Sequence, residues 1–178
     1  NNIDEIASKQ NWDAMLPKAI VDTIKVKDHY YAVPVNIHNP AWAWYSKDAF
    51  AKAGIAGEPK SIEELFAALD KLKGAGLVPL ALGGQAWQEK MLFDSIFAYV
   101  GGKELFLKVY RDRDASAINT PEFKKVLTVF KRLHDYVDAG SPGRNWNDAT
   151  AMVISGKAGV QFMGDWAKGE FTAAGQKP

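Results

Sequence analysis

The sequence predicts a helix-rich α/β domain, with helices packed around a small central sheet. Amphipathic segments of helical period alternate along the chain with short runs of β-forming residues, the pattern of a layered α/β or α+β domain. The composition, 47% hydrophobic and 24% charged over 178 residues, suits a compact core and excludes a disordered, collagenous or coiled-coil chain. Gly and Pro punctuate the segments, and no internal repeat, low-complexity tract or flexible linker divides them.

Asn2 to Lys25 reads as amphipathic helix, with Ile3, Ile6, Ala7, Trp12, Met15, Leu16, Ile20 and Ile24 as its apolar members. Pro17 suits the start of a second helix there. After a turn at Asp28-His29, the run Tyr30 to Ile37 predicts a strand with Pro34 at an edge or bend, and Ala41 to Ser46 a second strand beyond the Asn39-Pro40 kink. A short helix over Lys47–Ala53 stops at Gly54. Ser61-Ile62-Glu63-Glu64 is a capping box, followed by Leu65, Phe66, Leu69 and Leu72 on one helical face, and Gly74 and Gly76 close that helix. Leu77 to Leu82 predicts a short strand bounded by Gly83-Gly84.

Met91, Leu92, Ile96, Phe97 and Val100 define a third amphipathic helix, stopped by Gly101-Gly102 and followed by a polar stretch of mixed charge. Thr120-Pro121-Glu122 opens a long helix with a cap, a first-position proline and a carboxylate on the dipole. Its core face is Phe123, Val126, Leu127, Phe130, Leu133 and Val137, and it ends at Gly140. Ser141-Pro142-Gly143 is a loop, Ala149–Ser155 a short helix and Gly159–Met163 a last strand. The chain opens at Asn1 with neither Met nor a signal-peptide pattern, and closes on Gly175-Gln176-Lys177-Pro178, so we expect a piece of a longer protein.

Several function classes fall away. A net charge of +1 without basic runs argues against a nucleic-acid partner. The absence of cysteine excludes disulfide scaffolds, zinc ribbons and thiol catalysis, without fixing the compartment. No stretch approaches the ~18 apolar residues of a membrane span. Phosphate-loop, dinucleotide, nucleophile-elbow and zinc-protease motifs are all missing. His29, His38 and His134 lie far apart, so no metal, cofactor or catalytic residue is assigned. A carboxylate pair of the glycosidase kind is set by spatial proximity and is not legible in sequence.

Aromatic and polar residues coincide at three junctions. Trp87 stands between Gln85 and Gln88 after a strand and its Gly-Gly turn. Asp165-Trp166 follows the last strand through Gly164. Trp146 lies in the polar stretch Arg144-Asn145-Trp146-Asn147-Asp148 before a helix. Strand ends and loop-to-helix junctions are where α/β proteins present ligands. A flat ring beside amides and carboxylates suits a sugar: the ring carries the C–H face, and the polar groups hold hydroxyls. The remaining tryptophans have a simpler reading. Trp12 sits on an amphipathic helix, and Trp42 and Trp44 alternate on a strand, where at least one serves packing.

These stretches resemble the extracellular solute-binding proteins of sugar ABC transporters, the maltose-binding-protein-like family and its glucose/mannose-binding type in particular. The resemblance is carried by Tyr30 to His38, by Trp44-Tyr45-Ser46-Lys47-Asp48-Ala49-Phe50 with Ala53-Gly54-Ile55, by Pro59 to Leu65 and by Gly156 to Trp166. Ser46 replaces the family's usual Asn, and Ser61-Ile62 its Thr-Trp. The family implies a periplasmic-binding-protein-like lobe: residues 1–31 an excerpt of the first lobe, 32–40 the hinge or crossing region and 41–178 the second lobe. It implies a periplasmic, non-enzymatic protein that binds a monosaccharide, glucose foremost, between two lobes and delivers it to a membrane permease. The rest of the first lobe would lie outside this chain. By position, Trp166, Asp165, Trp87, Gln85, Gln88 and Trp146 match sugar-facing residues, with His38 and Asn39 near the crossing. Two other readings stay open: a carbohydrate-active enzyme domain with an unrecognised carboxylate pair, and a structural or interaction domain whose tryptophans are core.

Overall fold

A computed structural model describes residues 1–176; Lys177 and Pro178, within the C-terminal reading above, lie outside the described residues. The chain separates into two compact units, Asn1–His38 and the part from Asn39 onward.

In the first unit three short helices replace the predicted pair: α1 (Asp4–Lys9), α2 (Trp12–Met15) and α3 (Lys18–Ile24). The extra break falls at Asn11, whose φ of 52° is left-handed, a conformation Asn tolerates better than most residues. Pro17 immediately precedes α3, as expected. A hairpin follows, β1 (Lys25–Val26) antiparallel to β2 (His29–Tyr30), turned by Lys27 and Asp28 at positive φ. Ala7, Trp12, Val21, Ile24 and Tyr30 form the core, and Trp12 meets Tyr30 edge-on at 5.5 Å. Ile6 and Met15, expected on the apolar face, are exposed, because the break at Asn11 removes a common helical face.

The strand predicted over Tyr30–Ile37 stops at Tyr30. Residues 31–41 have no regular structure, and Val33, Val35 and Ile37 are exposed. β-formers make a strand only against a ladder partner; none among the described residues pairs with this run, and Pro34 removes a donor from it.

The second unit runs β3 (Trp42–Tyr45), α4 (Lys47–Lys52), α5 (Ile62–Gly74), β4 (Val78–Leu80), α6 (Ala86–Ile96), α7 (Gly102–Tyr110), α8 (Pro121–Leu133), α9 (Trp146–Ile154), β5 (Ala158–Met163) and α10 (Ala167–Ala173). Its sheet has the order β3-β5-β4, with β3 antiparallel and β4 parallel to the central strand. Leu69, Leu72, Leu80, Leu92, Phe97, Val126 and Leu133 fill the larger core. Ala81, Ala149, Val153 and Ala158 fill a smaller one under α9.

Caps fall where the sequence places them. Ser61 Oγ accepts from the Glu64 N–H at 3.1 Å, and Thr120 Oγ1 from the Phe123 N–H at 3.2 Å, each satisfying an end of a helix that otherwise lacks partners. Glu64 reaches back one residue beyond a standard box, accepting from the Lys60 N–H at 2.7 Å.

Four readings change. The mixed-charge stretch after Gly101-Gly102 is helix α7: a wide turn over Phe97–Gly101 and Gly102 at φ 76° redirect the chain, and Leu105, Phe106 and Val109 return to the core. Helix α8 ends at Leu133 and tightens over His134–Tyr136, so Val137 packs from beyond the helix. Leu127 is exposed while Val129 is buried. Helix α9 starts at Trp146, three residues before the predicted Ala149, because the Asn145 N–H finds the Asp148 carboxylate at 3.3 Å. A further helix, α10, follows Trp166.

Candidate functional site

Because β4 and β5 run parallel and β3 opposes them, one end of the sheet collects the exits of β4 and β5 and the entry to β3. The carboxyl ends of parallel strands are where open α/β sheets hold ligands. Three of the sequence candidates meet there directly. The Asp165 N–H donates to the Asn39 carbonyl at 3.0 Å, fixing the entry of β3 beside the exit of β5. Asn39 Oδ1 also accepts from the Ala41 N–H at 3.2 Å. Trp166 folds its indole over Gly164, where an added Cβ would land on the six-membered ring. Gly is therefore required at that position by close approach rather than by backbone torsion. Asp165 and Trp166 are half-buried.

The exit of β4 is a second junction. Gly83 and Gly84 pass so close to their surroundings that a Cβ on the first would strike the Gln88 amide, and one on the second the Pro142 backbone. Gln88 is 1% exposed. Its Oε1 accepts from the Gly83 N–H at 3.1 Å, and its Nε2 donates to Gln85 Oε1 at 2.9 Å. The amide of Gln88 thus braces the loop from beneath, leaving Gln85 and Trp87 as its outer residues. Trp87 is exposed, and its Nε1 donates to the same Gln85 oxygen at 3.2 Å, so the ring is held in one orientation by its neighbour.

Trp146, the first residue of α9, is half-buried. Its carbonyl accepts from Gln161 Nε2 and Thr150 Oγ1, each at 3.1 Å, which ties the start of α9 to the central strand. Gln161 Oε1, also buried, has no partner among the described residues. Two residues before Trp146, Arg144 grips Asp138 through both nitrogens at 2.7 and 2.6 Å and donates to the Leu82 carbonyl at 3.0 Å. The paired guanidinium holds the Asp138 carboxyl below the usual carboxylate range, against the opposing pull of burial.

His38 closes the first unit and is exposed. The junctions of Trp87 and Trp146 are linked through the Arg144 turn, and Asp165, Trp166 and Asn39 form the neighbouring group. Trp12 is core, as expected. Trp44 serves packing, its Nε1 donating to the Met163 carbonyl at 3.1 Å and its ring stacked on Phe171 at 4.9 Å. Trp42, read with Trp44 as a strand residue of which at least one serves packing, is the exposed one of the two and pairs with Met163, next to Gly164. The Asn39-Pro40 kink just before it places it at the entry of β3. Two hollows, of about 530 and 470 Å3, flank β3 on its two faces. None of Trp87, Trp146 and Trp166 lines either one. No group of three or more His, Asp or Glu suited to a metal occurs among the described residues.

The sequence profile of the bacterial extracellular solute-binding protein family matches residues 1–178. A probable sugar-binding periplasmic protein of Brucella suis biovar 1 (strain 1330) is 45% identical over 177 residues, covering 99% of this chain and 42% of that protein. An uncharacterized ABC transporter extracellular-binding protein of Pyrococcus horikoshii is 39% identical over 164 residues, covering 91% of this chain and 37% of that protein. Among solved structures, the bacterial solute receptor AcbH, described as having an exclusive preference for β-D-galactopyranose, aligns with a TM-score of 0.72 at 27% identity, over 97% of this chain and 44% of that one. The chain spans less than half the length of these relatives. The helix-rich α/β fold with a small mixed sheet is the one it shares with that solved structure, and this chain belongs to the bacterial extracellular solute-binding protein family.

Proposed function

We propose that the chain forms one wall of the sugar-binding cleft of a periplasmic solute-binding protein, which hands its ligand to the membrane permease of an ABC transporter. The observation that carries this reading is the convergence of aromatic rings and short polar side chains at one end of the sheet. Trp166 with Asp165 and Asn39 leaves from β5 and β3, and Trp87 with Gln85 leaves from β4. Trp146 joins them from the start of α9. Rings give a sugar's C–H face an apolar platform, and amide and carboxylate groups discriminate its hydroxyls, because a mismatched epimer leaves a polar group unpaired. An aldohexose, D-glucose first, is the ligand; a net charge of +1 suits a neutral one. No bond is made or broken.

Residues 1–31 then belong to the first lobe, 32–40 to the crossing and 41–178 to the second lobe. The exposed alternation of Val33, Val35 and Ile37 supports a crossing segment whose ladder partner lies outside this chain. The opposite wall would come from the rest of the longer protein, closing by hinge motion. Calorimetry on the full-length protein tests the reading: Trp166→Ala is expected to weaken glucose binding more than tenfold. Unchanged affinity removes Trp166 from the site.

A further inference from the structure

We infer that Arg144 is a positioning residue that sets the Trp87 and Trp146 junctions relative to each other, and so acts as a determinant of sugar affinity. The inference rests on the sugar-binding reading above. Arg144 ties the 82–84 loop to the 138–144 turn through both its side chain and its backbone. It donates to the Leu82 carbonyl at the exit of β4, and it takes both oxygens of Asp138 at the far side of the 138–144 turn. Through its own backbone carbonyl it accepts the Gly84 N–H at 3.1 Å. The Asp138 carboxylate also accepts from the Gly140 N–H at 3.1 Å, closing the turn on itself. Arg144 is thus hydrogen-bonded on one side to the loop that carries Gln85 and Trp87. On the other side it is two residues from Trp146, whose carbonyl is pinned to Gln161.

The two glycines match this role. Gly83 and Gly84 lie against the Arg144 carbonyl and Pro142 with no room for a side chain, so the loop is seated directly on the turn that Arg144 shapes. The Arg144 side chain is 11% exposed and that of Asp138 28%, which shields the pair from much of the solvent screening that weakens surface ion pairs. The arrangement needs the planar fork. A lysine carries the same charge, but its ammonium cannot span a bidentate carboxylate and a carbonyl in one plane. The fork's own contacts fall on the Leu82 carbonyl and the Asp138 carboxylate, just before the loop that carries Trp87 and across the turn that leads into Trp146.

The full-length protein is titrated by calorimetry with D-glucose, D-galactose and D-xylose. If wild type binds none of them, the sugar-binding reading fails and this inference fails with it. With a sugar that binds, Arg144→Lys is expected to raise Kd at least tenfold, and Asp138→Asn to do the same while keeping the fold. In a Trp87→Ala or Trp146→Ala background the further loss from Arg144→Lys is expected to shrink below threefold, since the ring it places is gone. A wild type that binds, with Arg144→Lys within twofold of it, overturns the positioning role even where the melting temperature falls. Losses that multiply in full across both double-mutant cycles overturn it as well.

Discussion

Asp4 carries much of the polar order of the first unit. Its carboxylate accepts from the Tyr30 N–H at 2.7 Å, meets the His29 ring at 2.7 Å and accepts from the Asn2 amide at 2.8 Å. The backbone bond first, then His29 and Asn2, lower its pKa from 3.8 to about 2. A depressed carboxylate contributes stability that is present above its unfolded pKa and lost as pH falls through the folded one. The hairpin end of the first unit is therefore expected to loosen between about pH 4 and pH 2, and Asp4→Asn to flatten that acid limb. Acid titration followed by the indole of Trp12, which packs on Tyr30, reads both; an acid limb unchanged in the variant would point to other carboxylates. Asp138 obeys the same sign, so the Arg144 clamp stays charged well below neutral pH. In sequence, Arg144 and Asp138 were two unremarkable charges six apart. Their pairing depends on how the 138–144 turn closes, which no local pattern encodes.

At the scale of elements, helices with strong ends were readable in the sequence. Ser61 and Thr120 cap α5 and α8; α5 buries Leu65, Phe66, Leu69 and Leu72 as its spacing specifies, whereas α8 exposes Leu127 and buries Val129. Ser61→Ala is expected to cost about 1 kcal/mol, measured by urea denaturation with Ser61→Asp retaining most of the stability. The strands split along a physical line. Those over 42–45, 78–80 and 158–163 found ladder partners within the chain, whereas 31–37, also rich in β-formers, found none among the described residues. Strand formation depends on a partner that can stand anywhere in the sequence, so residue type alone cannot deliver it. Helix α7 was missed because glycines commonly end helices; here Gly101 and Gly102 only redirect one. At the candidate site the junctions of Trp87, Trp146 and Trp166 were legible from turn residues and flanking polar groups. That Gln88 lies beneath its loop, and that Trp42 is exposed beside Gly164, came only with the sheet register.

For the whole molecule, the tryptophans divide by environment. Trp12 is core, Trp44 packs under α10, and Trp42 is exposed at the entry of β3. Trp87, Trp146 and Trp166 stand at strand exits and a helix start on the second unit. Under the proposed function this end of the sheet is the face turned to the ligand, with the rest of the cleft supplied by the longer protein. The most direct measurement is a calorimetric titration of the full-length protein with D-glucose, with D-galactose, D-xylose and a disaccharide in parallel. Saturable one-site binding of a monosaccharide, accompanied by a change in tryptophan emission, is the expected result. Flat heats and unmoved emission with every sugar would contradict the sugar-binding assignment.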